Sequence, residues 1–205
     1  MAGRIHIDLF TTLDGVAQAP GGPQEDTTGG FPYGGWQAPF PDEVIGKTIW
    51  EGISNLDALL LGRRTYDIFA GYWPNQTGGI ADVFNRVPKY VASRGLPTLD
   101  WEGSSQLGMD FTREVEALRE RHESIHVIGS ANLAQTLLQE QLFDVLTLWV
   151  YPVVLGQGKK VFPEGCAPAN FTLLEPAVTG PSGAVLLRYG PVTGEVRTGD
   201  MTAEG

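Results

Sequence analysis

With 205 residues the chain is long enough to bury a complete apolar core, as one large domain or two small ones. Its 14 basic and 24 acidic side chains leave a formal charge of -10, which argues against nucleic acid or an anionic membrane as the main partner. The one cysteine, Cys166, excludes an intramolecular disulfide. With no apolar run at the N-terminus and none elsewhere long enough to span a bilayer, a cytoplasmic protein is expected.

In chain order, Ile5, Ile7 and Leu9 alternate with His6, Asp8 and Phe10, the period of a strand. Asp14-Gly15 closes that strand in a turn. From Ala19 to Pro41 the sequence has no period and fills with Gly, Pro and aromatic residues, a connection long enough to suggest function. Pro41-Asp42-Glu43 opens a helix that carries Val44, Ile45, Thr48, Ile49 and Ile53 at helical spacing. Leu56 to Leu61 reads as a buried strand running into Gly62-Arg63-Arg64-Thr65, with a short helix over Thr65 to Ala70. Lys89 to Arg94 is a third strand, and Asp110 to His122 a helix capped by Asp110 or Thr112.

The stretch Ile125-His126-Val127-Ile128-Gly129-Ser130-Ala131-Asn132-Leu133 passes from an apolar strand through three small residues into a helix. The first N–H groups of such a helix are unpaired and stand at the positive end of its dipole, so the turn suits a phosphate. Phe143 to Leu155 is a long strand; Phe171 to Glu175 and Val185 to Tyr189 follow with no helix between them. Strands alternating with helices predict an α/β fold with a mostly parallel central sheet, helices on both faces and an antiparallel C-terminal edge. One domain over residues 1–192 and a loose tail over 193–205 are expected.

In open α/β sheets, ligands bind beyond the carboxyl ends of the strands. Four such ends are distinctive here: Leu13-Asp14-Gly15, Gly62-Arg63-Arg64-Thr65, Ser93-Arg94 and Gly129-Ser130-Ala131. Two place arginine directly after a strand and two open a helix. Together they offer three guanidinium groups and two helix starts to a dinucleotide bearing an extra ribose phosphate. The G-x-G-x-x-G and P-loop patterns are absent.

Leu60-Leu61-Gly62-Arg63-Arg64-Thr65-Tyr66, Val91-Ala92-Ser93-Arg94 and Val127-Ile128-Gly129-Ser130-Ala131 resemble, in the same order, the cofactor-binding segments of dihydrofolate reductase. Thr12-Leu13-Asp14-Gly15 and Pro152-Val153-Val154-Leu155-Gly156-Gln157-Gly158-Lys159 are more similar to the reductase domain of the bacterial riboflavin-pathway deaminase–reductase and its single-domain relatives. The resemblance implies a dihydrofolate reductase-like fold, NADPH as cofactor and hydride donor, a pterin- or pyrimidine-like substrate, and a homodimer. Carried over by position, it implies Gly62, Arg63, Arg64 and Thr65 at the pyrophosphate and 2′-phosphate, and Ser93 and Arg94 near the adenosine. Ile128, Gly129, Ser130, Ala131, Asn132 and Leu133 would serve the pyrophosphate and nicotinamide side, with Asp14 and Gly15 beside the nicotinamide. Ser130 departs from the Gly-Gly usual at that turn.

Asp42 or Asp14 is the expected carboxylate that orients the substrate's ring nitrogens and assists protonation, and Trp36 is expected to lie over the substrate pocket. His6, His122 and His126 have no metal-ligand spacing with one another or with Cys166; no metal is expected, and His6 and His126 read as structural. Two competing readings are the riboflavin-pathway reduction of 5-amino-6-(5-phosphoribosylamino)uracil, which needs a further phosphate site, and a ligand-binding protein of the same fold without turnover.

Overall fold

The first strand, β1 (Arg4–Thr12), takes the centre of the sheet because both of its neighbours pair with it along most of its length. The protein is described here from a computed structural model covering residues 2–196 and 198–200. After β1 come α1 (Glu43–Ile53), β2 (Ala58–Gly62), α2 (Arg63–Tyr72), α3 (Ile80–Arg86), β3 (Lys89–Ala92), β4 (Ser104–Gln106) and α4 (Phe111–Arg119). Then follow β5 (Ser124–Ile128), α5 (Ala131–Gln139), β6 (Val145–Tyr151), β7 (Asn170–Leu173), β8 (Val178–Thr179) and β9 (Val185–Val192).

Among the described residues these strands form one nine-stranded sheet in the order β4-β3-β2-β5-β1-β6-β9-β7, with β8 also on β9. Every pair from β4 to β6 is parallel, and the pairs made by β9 are antiparallel. This is the expected mostly parallel sheet with an antiparallel C-terminal edge. No helix of the described residues is long and apolar enough to cross a membrane.

Alternation along β1 decides what each face does. Ile5, Ile7 and Leu9 point to one face and join Val127, Leu146, and Leu133 and Leu137 of α5 with Val115 and Leu118 of α4 in the main core. The other face carries two apolar clusters, one under α2 and α3 around Leu59, Leu61, Tyr66 and Phe84, the other around Trp149, Tyr151 and Leu186. Between these clusters, β1, β5 and β6 present polar side chains instead: His6, Asp8, His126 and Thr147.

Three elements escape the sequence periodicity. The edge strand β4, Ser-Ser-Gln, has no apolar residue to mark it; β8 has two residues; α3 has seven, three of them buried. Helix α2 starts at Arg63, two residues earlier than the pattern suggests. The expected tail falls partly outside the described residues, and its first part is tied down, the Asn170 amide donating to the carbonyls of Gly194 and Glu195.

Candidate active site

A groove of about 1760 Å³ runs from the carboxyl ends of β2 and β5 across the polar face of β1 and β6, beneath α1. A drug-sized ligand fills roughly 300–1000 Å³, so this groove has room for a dinucleotide and a small second ligand. Its two halves differ in chemistry.

One half is built from backbone turns. Gly62, Arg63, Arg64 and Thr65, with Ile128, Gly129, Ser130, Ala131, Asn132 and Leu133, all line it. Gly129 and Ser130 take φ of +72° and +60° in succession, left-handed values that cost a serine about 1–3 kcal/mol unless something holds them. The holding contact is visible: the Gly62 N–H donates to Ser130 Oγ at 2.9 Å, lashing the two turns together. A Cβ on Gly62 would lie 3.1 Å from that oxygen, so any larger residue would press on Ser130 and the close approach favours glycine. This explains why serine stands beside Gly129; its hydroxyl joins two loops that a second glycine would leave separate. Neither α2 nor α5 has a side-chain cap, so their first N–H groups remain for a ligand. Arg63 Nε meets both oxygens of Asp67 at 2.8 Å, a half-exposed pair that a phosphate can displace at small cost, and Arg64 reaches Thr28 Oγ1 at 3.3 Å.

The other half has a floor of side chains. On adjacent parallel strands His6 lies beside His126, and Asp8 beside Thr147. The two imidazoles stack with centroids 4.5 Å apart and planes 4° from parallel. His126 Nδ1 sits 2.7 Å from Asp8 Oδ2, and Ser124 Oγ lies 3.2 Å from Nε2. Burial favours the neutral acid at Asp8, but the hydrogen bond and charge of His126, with the Thr147 hydroxyl, outweigh it and hold the carboxyl below its ordinary range. Burial first, and His126 second, bring His6 down to about 4, so it is a neutral imidazole at pH 7. Phe10 stacks on Trp149 at 6.0 Å along the same floor, and Thr48, Ile49 and Gly52 of α1 face it.

Residues 17–26 supply a wall, and they are well anchored. The Gln18 amide donates to the carbonyls of Asp26 and Thr28, its oxygen accepts from Lys159 N–H, and the Lys159 ammonium pairs with Asp26. Trp36 does not reach the groove: it is buried, its indole donating to Gln18 O at 2.8 Å and its ring packed edge-on against Tyr151.

Asp42 and Asp14 are also spent on the backbone. Asp42 caps α1, accepting from Ile45 N–H and Ser182 N–H; Asp14 accepts from the Thr12 hydroxyl and from Leu155 and Gly156 N–H. Neither lines the groove, although one of them is the carboxylate expected from the sequence to meet the substrate. Asp14 does something else: it bolts the Leu13-Asp14-Gly15 turn to the Pro152–Lys159 segment, so the two stretches that carried the resemblance form one unit. Gly15 sits in that turn at φ +82° and does not line the groove. Ser93 and Arg94 stand at the same end of the sheet, one strand further out, where Ser93 Oγ accepts from Gly95 N–H. They too are outside the groove lining.

The sequence alone does not mark this floor. His6 and His126 read as structural because each is an isolated histidine on an apolar strand. The available signal was shared phase: three polar residues on the same side of β1 and β5, facing a threonine on β6.

Comparison with known proteins agrees with this architecture. YyaP of Bacillus subtilis (strain 168), an uncharacterized protein, is 27% identical over 192 residues, covering 91% of this chain and 94% of its own. A Shewanella sp. PV-4 protein assigned to riboflavin biosynthesis superposes with TM-score 0.70 at 18% identity, over 94% of this chain and all of that one. The Thermotoga maritima diaminohydroxyphosphoribosylaminopyrimidine deaminase/5-amino-6-(5-phosphoribosylamino)uracil reductase superposes at 0.60 and 15% identity, over 93% of this chain and 57% of its longer one. The RibD C-terminal domain model matches residues 4–183, and with the fold and groove described above it identifies the chain as a member of the RibD C-terminal domain family.

Proposed function

We propose that the protein is an NADPH-dependent reductase that transfers a hydride to a small pterin- or pyrimidine-like nitrogen heterocycle. The observation that carries this is the division of one groove into a backbone-lined, arginine-flanked half and a side-chain floor with acid–base groups. The first half fits the phosphates of NADPH: beyond the left-handed Gly129 and Ser130, two uncapped helix starts converge there. Arg63 and Arg64 supply the positive charge that a ribose phosphate requires in a chain of net charge -10. Ser93 and Arg94, further along the same edge, belong to the adenosine end of this proposal.

When bound, NADPH supplies the hydride. The chain's own residues orient, exclude water and manage the proton. The Phe10–Trp149 pair and Ile49 give a flat heterocycle an apolar slot, and Asp8, His6 and His126 are the groups lining that slot that can hold a proton. A cytoplasmic homodimer belongs to the same proposal.

The test is a thermal-shift and fluorescence titration with NADPH against NADH, followed by a screen of pterins and pyrimidines for NADPH consumption. We expect NADPH to stabilise the chain and NADH to do so less. Arg63→Ala with Arg64→Ala should weaken NADPH by roughly tenfold or more and erase the preference. No binding of either cofactor overturns the proposal; binding without consumption of cofactor on any heterocycle favours a ligand-binding member of the fold.

A further inference from the structure

The backbone-lined half of the groove holds two arginines in different electrical states. Arg63 opens α2 and Asp67 follows one turn later, so the two side chains meet on one helix face, and both line the groove. Arg63 Nε donates to both carboxylate oxygens of Asp67 at 2.8 Å, while neither Nη has a hydrogen-bond partner among the described residues. Arg64 has the opposite arrangement: it donates to the Thr28 hydroxyl and has no carboxylate partner among the described residues. Two guanidinium groups and one carboxylate leave this corner a single net positive charge.

A phosphomonoester brings close to two negative charges at pH 7. It either displaces Asp67 from Arg63 or docks on the free Nη edge with the carboxylate still close by. In both cases Asp67 opposes it. A ribose hydroxyl meets the reverse situation, because a carboxylate with lone pairs to spare can accept its hydrogen. An i,i+4 pair with side chains 42% and 47% exposed contributes little to the stability of its helix. Its place in the groove wall is what gives it a consequence.

We propose that Asp67 sets the cofactor preference of this site: it holds Arg63 in a neutral pair, accepts the 2′-hydroxyl of NADH, and so keeps the discrimination in favour of NADPH small. Arg63 and Arg64 attract the phosphate, and Asp67 limits how far that attraction separates the two cofactors. Asp67 is a positioning residue towards Arg63 and a contact only for the hydroxyl. The assignment rests on the reductase reading in taking this half as the cofactor's.

The experiment is a fluorescence titration of the whole chain with NADPH and with NADH, for wild type, Asp67→Asn and Asp67→Glu. Wild type should favour NADPH by no more than about tenfold. Asparagine keeps an acceptor for Arg63 Nε and removes the charge. NADPH should therefore tighten about threefold or more in Asp67→Asn, with NADH unchanged or weaker. Asp67→Glu keeps the charge and should stay near the wild-type ratio. Raising the ionic strength from roughly 0.01 M to roughly 1 M should shrink the gain in Asp67→Asn, since exposed charges are screened; a merely structural brace would not respond. A wild-type preference far beyond tenfold, a ratio that Asp67→Asn leaves unmoved or lowers, or an equal shift in Asp67→Glu overturns the proposal. If neither cofactor binds, the reductase reading falls and this assignment with it. If both bind and the ratio does not move, this assignment falls alone. If the ratio moves as expected and no heterocycle is reduced, the reductase reading falls alone.

Discussion

The two faces of β1 carry opposite tasks on alternate residues. Ile5, Ile7 and Leu9 are at most 1% exposed and packed under α4 and α5, whereas His6, Asp8 and Phe10 form the floor of the groove on the other side. The apolar face is fully satisfied by its neighbours. The polar face holds a buried carboxylate, a histidine bonded to it, and a second histidine whose ring nitrogens have no hydrogen-bond partner among the described residues. A strand buried for stability alone would be apolar on both faces, as central parallel strands usually are. The difference teaches that the polar residues stand in the middle of the sheet where it is covered by an open groove instead of by packed helices.

The comparison can be broken one residue at a time. The largest effect on stability belongs to the apolar face. Ile7→Ala leaves a cavity in the main core and should cost about 2–5 kcal/mol by denaturant unfolding, while NADPH affinity of the folded chain stays unchanged. Asp8→Asn, its chain neighbour, should have the converse pattern, with heterocycle binding lost more than stability.

Next comes the joint between the two halves of the groove. Ser130→Val puts a β-branched residue at φ +60° and removes the hydroxyl that Gly62 N–H requires, so NADPH affinity should drop by roughly tenfold or more. Ser130→Gly relieves the backbone strain but still lacks the hydroxyl, so it should recover only part of that loss, which separates strain from the hydrogen bond.

A smaller effect lies in the pH dependence of stability. The folded chain holds His6 at about 4 against an ordinary 6.5, so between those values the unfolded chain binds a proton that the folded chain refuses. Stability should therefore fall as pH falls from 6.5 towards 4. The carboxyl of Asp8, held low by His126, continues the loss at still lower pH. His6→Asn should flatten the upper part of that curve in thermal melts taken at stepped pH and leave the lower part.

The smallest effect is expected at Asp42. Asparagine caps helices as well as aspartate does, so Asp42→Asn should leave both cofactor binding and turnover near wild type. A hundredfold loss of turnover in that variant would return the carboxylate to the chemistry.

Much of the fold was legible because its signals are local. Alternation marked β1, and the change of period at Gly129-Ser130-Ala131 marked the strand-to-helix turn that the structure shows. The arginines after β2 lie in the groove because connectivity alone places them at a strand's carboxyl end. What could not be read is where side chains are already committed. Asp42 and Asp14 carry the right chemistry for an acid, but Ser182, Leu155 and Gly156, more than a hundred residues away, take their lone pairs. Trp36 looked like a lid because its loop is rich in glycine, yet Gln18 and Tyr151 bury it. His6 and His126 have the reverse history. Each is unremarkable alone, and only the register that sets them side by side on adjacent strands makes a site.

The most direct measurement is a crystal structure of the chain grown with NADPH. We expect the pyrophosphate against the N–H groups after Gly129 and within reach of Arg63 and Arg64, with the nicotinamide directed along the groove towards Asp8 and Trp149. NADPH bound on the apolar side of β1, or with its phosphates away from the Gly62 and Ser130 turns, would contradict it.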